Sequence, residues 1–254
     1  MHSSPQLREI FHFCFLEALL KVSEPALYAL KGGVNLRFYF SSPRYSEDMD
    51  LDVYGGSVAT LKKNGYKVLN DPGLGRTLAS YGIEKLLVND PMKAKHTETT
   101  QRFRLRLQTS AGDVLPTKVE FSRRSQSLDD VVSELIPPEL ARNYNRLSYR
   151  APHYSGRAAA QQKVSALARR TSPQARDLFD LYLLYAGGHT NADLLASLPA
   201  SVRDTACETA LSLSYEDYTG QVVEFLEHGA RTQFASIDAW NALQGTVTTL
   251  LGHD

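Results

Sequence analysis

The sequence predicts an α/β protein, with a mixed sheet and its helices in the N-terminal half and an α-helical C-terminal lobe after it. Three observations carry this reading. An apolar run at residues 26–30 stops at Lys31-Gly32-Gly33, as a strand does when it ends in a glycine turn. Phe103, Leu105 and Leu107 alternate with Arg102, Arg104, Arg106 and Gln108, and Thr117-Lys118-Val119-Glu120-Phe121 repeats that period of two. Beyond about residue 128 the apolar spacing changes from two to three and four, the helical period. The expected division is residues 1–127 for the α/β part and 128–254 for the helical part, with Pro137-Pro138 as a hinge.

Each element has a local reason. Over residues 5–22, Leu7, Ile10, Phe11, Cys14, Phe15, Ala18 and Leu19 recur at helical spacing. The strand at 26–30 leads through the glycine pair into a short helix over 34–40, which Ser41-Ser42-Pro43 breaks. In "RYSEDMDLD" four carboxylates fall within six residues, and Met49, Leu51 and Val53 alternate with them, so residues 48–53 read as a half-buried strand ended by Gly55-Gly56. A helix over 58–63 precedes a less regular stretch. The two alternating runs around the turn at Ala111-Gly112-Asp113 then form an antiparallel hairpin. Helices are expected at 158–168, 176–185, 192–195, 218–226 and 239–251.

Composition narrows the function classes. Lysine plus arginine equals aspartate plus glutamate, 28 each, so any nucleic-acid partner must be held by a local patch and not by net charge. The two cysteines, Cys14 and Cys207, are far apart and show no metal spacing, which excludes a disulfide framework and a zinc motif and fits a reducing cytoplasm. No stretch reaches the roughly 18 apolar residues of a membrane span. Glu9, His12, Glu17 and Lys21 interrupt the N-terminal helix and spoil it as a secretion signal. The expected location is the cytoplasm, with no membrane partner.

The acidic strand raises the chemical question. Asp48, Asp50 and Asp52 project from one strand face, and two neighbouring carboxylates disfavour joint ionisation unless a cation sits between them. One answer is a solvated edge whose charges guard against aggregation. The other is a divalent-cation site. Mg²⁺ takes few protein carboxylates and completes its octahedron with phosphate oxygens, and glycines at a helix start let a triphosphate approach backbone N–H groups. That combination is the arrangement of metal-dependent nucleotidyl transfer.

Read together, "LKGGVNLRFYF", "RYSEDMDLDV", "KVEFSRR" and "QQKVSALARRTSPQARDLFDLYLL" resemble the AbiEii/AbiGii nucleotidyltransferase toxin family, within the DNA polymerase β-like nucleotidyltransferase superfamily. The matching elements are Gly32-Gly33, then Arg44, Ser46, Asp48 and Asp50, then Lys163, Ala166, Arg170, Arg176, Asp177 and Asp180. They span residues 30–184 in the family's order, and roughly the last sixty residues carry no motif.

The resemblance implies a nucleotidyltransferase-type sheet whose active site is completed by the helical part. It implies that Asp48 and Asp50 bind Mg²⁺ or Mn²⁺, with Glu120 as third ligand or general base, and that Gly32, Gly33, Arg44, Ser46 and Lys163 contact the nucleotide. Lys163 would offset charge on the leaving pyrophosphate. Asp177 and Asp180 lie three apart on one helix face. They either orient Lys163 or an arginine, or contact the nucleotide, or form an interhelical salt bridge between the lobes. Asp52 continues the acidic face outside the two-aspartate motif, and is either a support for the site or exposed. The implied activity is transfer of a nucleoside monophosphate from an NTP to the 3′ end of tRNA. It would serve as the toxin of a toxin–antitoxin or phage-defence pair with a cognate antitoxin. The near-zero net charge keeps a small-molecule or protein acceptor open, and an inactive nucleotide- or antitoxin-binding module is the remaining alternative.

Arg102, Arg104 and Arg106, extended by Arg123-Arg124, suit an RNA backbone, a triphosphate, or plain solubility of a sheet face. His96, His153 and His189 lack metal spacing and read as structural or surface residues, while Trp240, Tyr182 and Tyr185 read as packing of the helical lobe.

Overall fold

In a computed structural model describing residues 2–90, 97–123 and 129–252, the first helix, α1 (Ser4–Val22), is apolar almost all round. Leu7, Ile10, Phe11, Phe13, Cys14, Phe15, Leu16 and Leu19 are all buried, as befits a central helix. Its polar residues are satisfied internally. Arg37 and Tyr144 both bond the buried Glu9 carboxylate.

The strands are β1 (Tyr28–Lys31), β2 (Met49–Val53), β3 (Ile83–Val88), β4 (Thr100–Thr109), β5 (Val114–Ser122), β6 (Val131–Leu135) and β7 (Arg150–Tyr154). They form one seven-stranded mixed sheet in the order β3-β4-β5-β2-β1-β7-β6. Pairs β2–β5 and β1–β7 are parallel, and β1–β2, β3–β4, β4–β5 and β6–β7 are antiparallel. Helices α2 (Gly32–Tyr39), α3 (Val58–Leu69), α4 (Pro72–Ala79) and α5 (Pro138–Asn143) complete this part of the chain. Met49, Leu51, Phe103, Leu105, Val119 and Phe121 line the buried face of the sheet, and α1 packs on α3, α4 and β5. Helix α3 comes so close to β4 that a Cβ on Gly65 would stand 2.3 Å from the Phe103 ring.

The chain divides into two units, Met1–Tyr39 with Tyr45–Tyr154, and Phe40–Arg44 with Ser155–Asp254. The expected break at 127/128 lies outside the described residues, and the sheet continues past it through β6 and β7. Both strands lack an alternating apolar signature: β6 is largely exposed, and β7 carries Pro152 and His153 among its buried residues. Pro137-Pro138 is accordingly no hinge between units; Pro138 opens α5 inside the first. The less regular stretch after residue 63 also contains ordered elements, the remainder of α3, then α4 and β3. Two glycines in the α4 sequence hide it, but Asp71 caps it, accepting from the Leu74 N–H at 3.1 Å.

The second unit is helical: α6 (Gly156–Arg169), α7 (Ala175–Ala186), α8 (Ala192–Leu195), α9 (Ala200–Ser212), α10 (Tyr215–Gln221), α11 (His228–Phe234) and α12 (Ile237–Leu251). Helix α6 packs on α7 and α9, and α12 on α7 and α9. Trp240 is buried and packs at 4.8 Å from the Tyr218 ring, as its packing role predicts. Tyr185 is exposed instead, and Tyr182 is partly covered. Among the described residues, no helix is long and apolar enough to cross a membrane.

Candidate active site

The polar face of the sheet is a grid of charges fixed by strand register. Register pairs Arg102 with Glu120, Glu120 with Asp50, and Asp50 with Lys31, so one row runs cation, carboxylate, carboxylate, cation across β4, β5, β2 and β1. In the next row Arg104 faces Lys118, and Lys118 reaches Asp48 just ahead of β2. The backbone N–H of Lys118 donates to Asp48 Oδ1 at 3.1 Å, while its ammonium lies 3.0 Å from Asp48 Oδ2 and 4.0 Å from Asp50 Oδ1. A cation therefore already stands between the two motif aspartates.

The carboxylates remain open to a ligand: the Asp48 and Asp50 side chains are 37% and 36% exposed. Burial of its surroundings pushes the Asp50 carboxyl above its ordinary range, and the Glu120 and Asp48 charges push the same way against Lys118 and Lys31. Glu120 lies beside Asp50 in register, but its Oε2 accepts from Arg102 Nε at 2.6 Å. Asp52 is buried and not exposed. Lys31 bonds one of its oxygens, and the Tyr154 hydroxyl donates to the other at 2.7 Å.

Three features hold Asp48 and Asp50 in place. Gly32 at the end of β1 has φ +67°, and a Cβ there would lie 3.5 Å from Asp50 Oδ2, so the turn demands glycine for its backbone conformation. The Ser46 hydroxyl donates to the Asp48 carbonyl at 2.9 Å. From the apolar side, the Thr117 hydroxyl donates to the Glu47 carbonyl at 2.6 Å. Because that uses its only proton, His12 Nε2, 3.1 Å away, must be the donor to Thr117. Burial, with help from Arg8, lowers the His12 pKa to about 3, which keeps this histidine neutral.

The donors suit a hard divalent cation. The exposed Asp48 and Asp50 carboxylates supply hard oxygen donors, and Mg²⁺ is typically held by one or two carboxylates plus substrate phosphates. Among the described residues no three Asp, Glu, His or Cys side chains are grouped to hold an ion unaided. Asp48 and Asp50 are thus the pair that fits, with Glu120 one strand away and turned to Arg102.

The other motif residues form a second cluster, wholly within the helical unit. Lys163 on α6 is buried between Asp177 and Asp180 of α7, at 2.9 Å and 2.6 Å. Arg44 lies 3.0 Å from Asp180, and Arg170 lies 2.7 Å from Asp177. Burial opposes charge on Lys163, but the two aspartates outweigh it and hold its pKa above the ordinary lysine value. Burial likewise opposes charge on Asp177, and Lys163 with Arg170 outweighs it to hold that carboxyl below its ordinary range. Asp177 and Asp180 therefore orient a lysine and two arginines. These ion pairs all lie inside the second unit, to which the segment Phe40–Arg44 belongs.

Lys31, Lys118 and the Tyr154–Asp52 contact were not singled out from sequence. Lys31 adjoins the glycine pair and Lys118 shares the polar face with Glu120, so the signal for both was positional; Tyr154 gave none. Of the remaining candidates, Arg124 and His96 lie outside the described residues. His153 is buried and stacked on Tyr39 at 3.5 Å, and His189 packs edge-on to Phe40.

Residues 14–246 match the family described as nucleotidyl transferase AbiEii toxin, type IV toxin–antitoxin system. Among solved structures, JHP933 from Helicobacter pylori is 20% identical with a TM-score of 0.63, over 99% of this chain and 93% of that one. MenT4, a nucleotidyltransferase toxin from Mycobacterium tuberculosis H37Rv, is 18% identical with a TM-score of 0.63, over 99% and 85%. At these identities the likeness is one of fold. No curated protein sequence matches the chain.

Proposed function

The chain belongs to the AbiEii nucleotidyl transferase toxin family of type IV toxin–antitoxin systems, and from this premise we propose that it moves a nucleoside monophosphate from an NTP to the 3′ hydroxyl of tRNA. The family makes it an enzyme with a nucleotide substrate and an antitoxin partner. The observation that carries the proposal is the pair Asp48 and Asp50 on one face, solvent-accessible, with a cation between them.

Asp48 and Asp50 are the residues to hold Mg²⁺ or Mn²⁺, which would draw charge from the triphosphate and favour ionisation of the attacking hydroxyl. The turn at Gly32 and Gly33 offers backbone N–H groups at the start of α2 to the phosphates, and Ser46 fixes the loop before Asp48. Glu120 takes the proton of the acceptor hydroxyl as that oxygen attacks the α-phosphate in line. Lys31 and Lys118 supply positive charge as the α–β bond breaks and pyrophosphate leaves. Arg44 and Lys163 are proposed to bind nucleotide phosphates, a role that needs fixed, charged side chains; Asp177 and Asp180 meet both conditions. Such transfer would block tRNA in the cytoplasm and arrest growth, as a toxin or phage-defence device must.

The net charge of zero favours one second reading, an acceptor that is a small molecule or a protein hydroxyl. Incubation with Mg²⁺, bacterial RNA and each NTP, labelled in turn at the α- or γ-phosphate, separates these readings. Label from the α-position, and not the γ-position, moving into a tRNA-sized band supports the proposal. Transfer of α-label to protein or to a small product moves the acceptor, and transfer of γ-label contradicts nucleotidyl transfer.

A further inference from the structure

A cleft of about 680 Å³ opens on the polar face of the sheet beside Asp48, lined by Asp48, Asn89, Arg104, Arg106 and Lys118 among others. Its cations are arranged in a way that packing alone does not explain. Arg104 stands directly opposite Lys118 across β4 and β5, and like charges in that position destabilise a sheet. Asp48 offsets Lys118 at 3.0 Å, and Arg8 lies 3.8 Å from Glu47. Neither arginine receives such an offset: among the described residues, Arg104 and Arg106 are exposed and form no ion pair and no side-chain hydrogen bond. Arg102, one step along the same face, is taken up by Glu120. Arg104 and Arg106 are two residues apart on one strand, so their Cα atoms are about 7 Å from each other and their side chains leave on the same side. A face built only for solubility would intersperse charges of both signs. Here two unpaired forks and an ammonium converge on a concavity that begins at a carboxylate of the candidate site.

We propose that this cleft is a phosphate-binding subsite, in which Arg104 and Arg106 grip phosphate oxygens of a substrate whose reacting end lies at Asp48. Guanidinium groups suit such oxygens because they present paired donors in a fixed plane. The same chemistry serves two sources, the phosphodiesters of a nucleic-acid acceptor or the triphosphate tail of the nucleotide. The inference rests on the transferase reading for the meaning of the site, but its test measures binding without turnover.

The test uses the full chain in EDTA, a 5′-fluorescein single-stranded RNA 12-mer read by anisotropy, and inorganic tripolyphosphate as competitor. Three proteins are compared: wild type, Arg104→Gln/Arg106→Gln, and the charge-matched control Arg76→Gln/Arg150→Gln, which changes exposed arginines outside the cleft. The subsite predicts that the cleft variant weakens binding of at least one probe about tenfold. Where RNA is the ligand, it also predicts a salt slope shallower by about 1.4, since each single-strand phosphate contact contributes about 0.7. The control should stay within about twofold of wild type. Loss of RNA binding with tripolyphosphate binding kept assigns the cleft to acceptor phosphodiesters; loss of tripolyphosphate binding assigns it to the nucleotide. Equal binding by the cleft variant and wild type overturns the inference, as does equal loss in the control, or a wild type that binds neither probe. If these results hold but the wild type transfers no label, the transferase reading fails and the subsite stands.

Discussion

The ammonium of Lys118 lies 3.0 Å from Asp48 Oδ2, and the same residue's N–H donates to the other oxygen of that carboxylate. One residue thus supplies both the strand contact that orients Asp48 and the charge that neutralises it. A divalent ion bound by Asp48 and Asp50 must compete with that ammonium. Lys118→Met should therefore tighten Mn²⁺ binding, measured by calorimetry without nucleotide, by about threefold or more. The direct charge term at such distances amounts to a few kcal/mol at an effective dielectric of about 20, and exposure reduces it. Weaker binding in the variant would mean that Lys118 helps to build the ion site.

Asp50 should show the opposed demands of stability and activity. Its raised pKa means that the folded state favours the protonated form, so ionised Asp50 costs stability above the ordinary carboxylate range. Asp50→Asn is expected to raise Tm by about 1–2 °C at pH 7, a modest gain because the side chain is partly exposed. The gain should fade below pH of about 4, where the native carboxyl is protonated in both states. A thermal melt at the two pH values checks both size and sign.

Lys163 should behave in the reverse manner. Removing it leaves Asp177 and Asp180 buried with less positive charge, so Lys163→Met should cost about 3–5 kcal/mol in urea unfolding. Stability from this cluster should be level through the neutral range. It is lost as pH falls from the ordinary carboxylate range through the lowered Asp177 pKa, and again as pH rises from the ordinary lysine value of 10.5 through the raised Lys163 pKa.

Gly32 should tolerate asparagine better than alanine. Its φ of +67° is a left-handed conformation that costs an ordinary side chain about 1–2 kcal/mol and asparagine less. The space beside it is adequate, since an added Cβ would sit at contact distance from Asp50. Denaturant midpoints of Gly32→Ala and Gly32→Asn should rank in that order, the alanine variant being the less stable.

What could be read from the sequence was local. The hairpin of β4 and β5, the acidic strand and most helices announce themselves by alternation or by spacing of three and four. Strands β6 and β7 do not, because an exposed edge and a proline-containing partner have no such period. Helix α9 was missed because its buried residues, Ala206, Cys207 and Ala210, are small and give a weak apolar stripe. The motif placed Asp48 and Asp50 together, since one lies just ahead of β2 and the other within it, two residues apart. The bridge from Lys118 to Asp48 spans 70 positions, and that from Tyr154 to Asp52 spans 102. Only the register of β2 with β5 and the packing of β7 create these contacts. The same limit applied to Lys163, whose partners Asp177 and Asp180 were legible as a helical pair but whose ion pairs depend on how α6 meets α7.

In the proposed reaction Asp48 and Asp50 carry a metal-dependent nucleotidyl transfer. The most direct test is a single-turnover assay of α-labelled NTP with Mg²⁺ and tRNA, comparing wild type with Asp48→Asn and Asp50→Asn, each shown by circular dichroism to be folded. The wild type should label tRNA in a Mg²⁺-dependent manner, and both variants should lose about a thousandfold or more of that rate. Labelling that persists in either variant, or that proceeds undiminished in EDTA, would contradict that role.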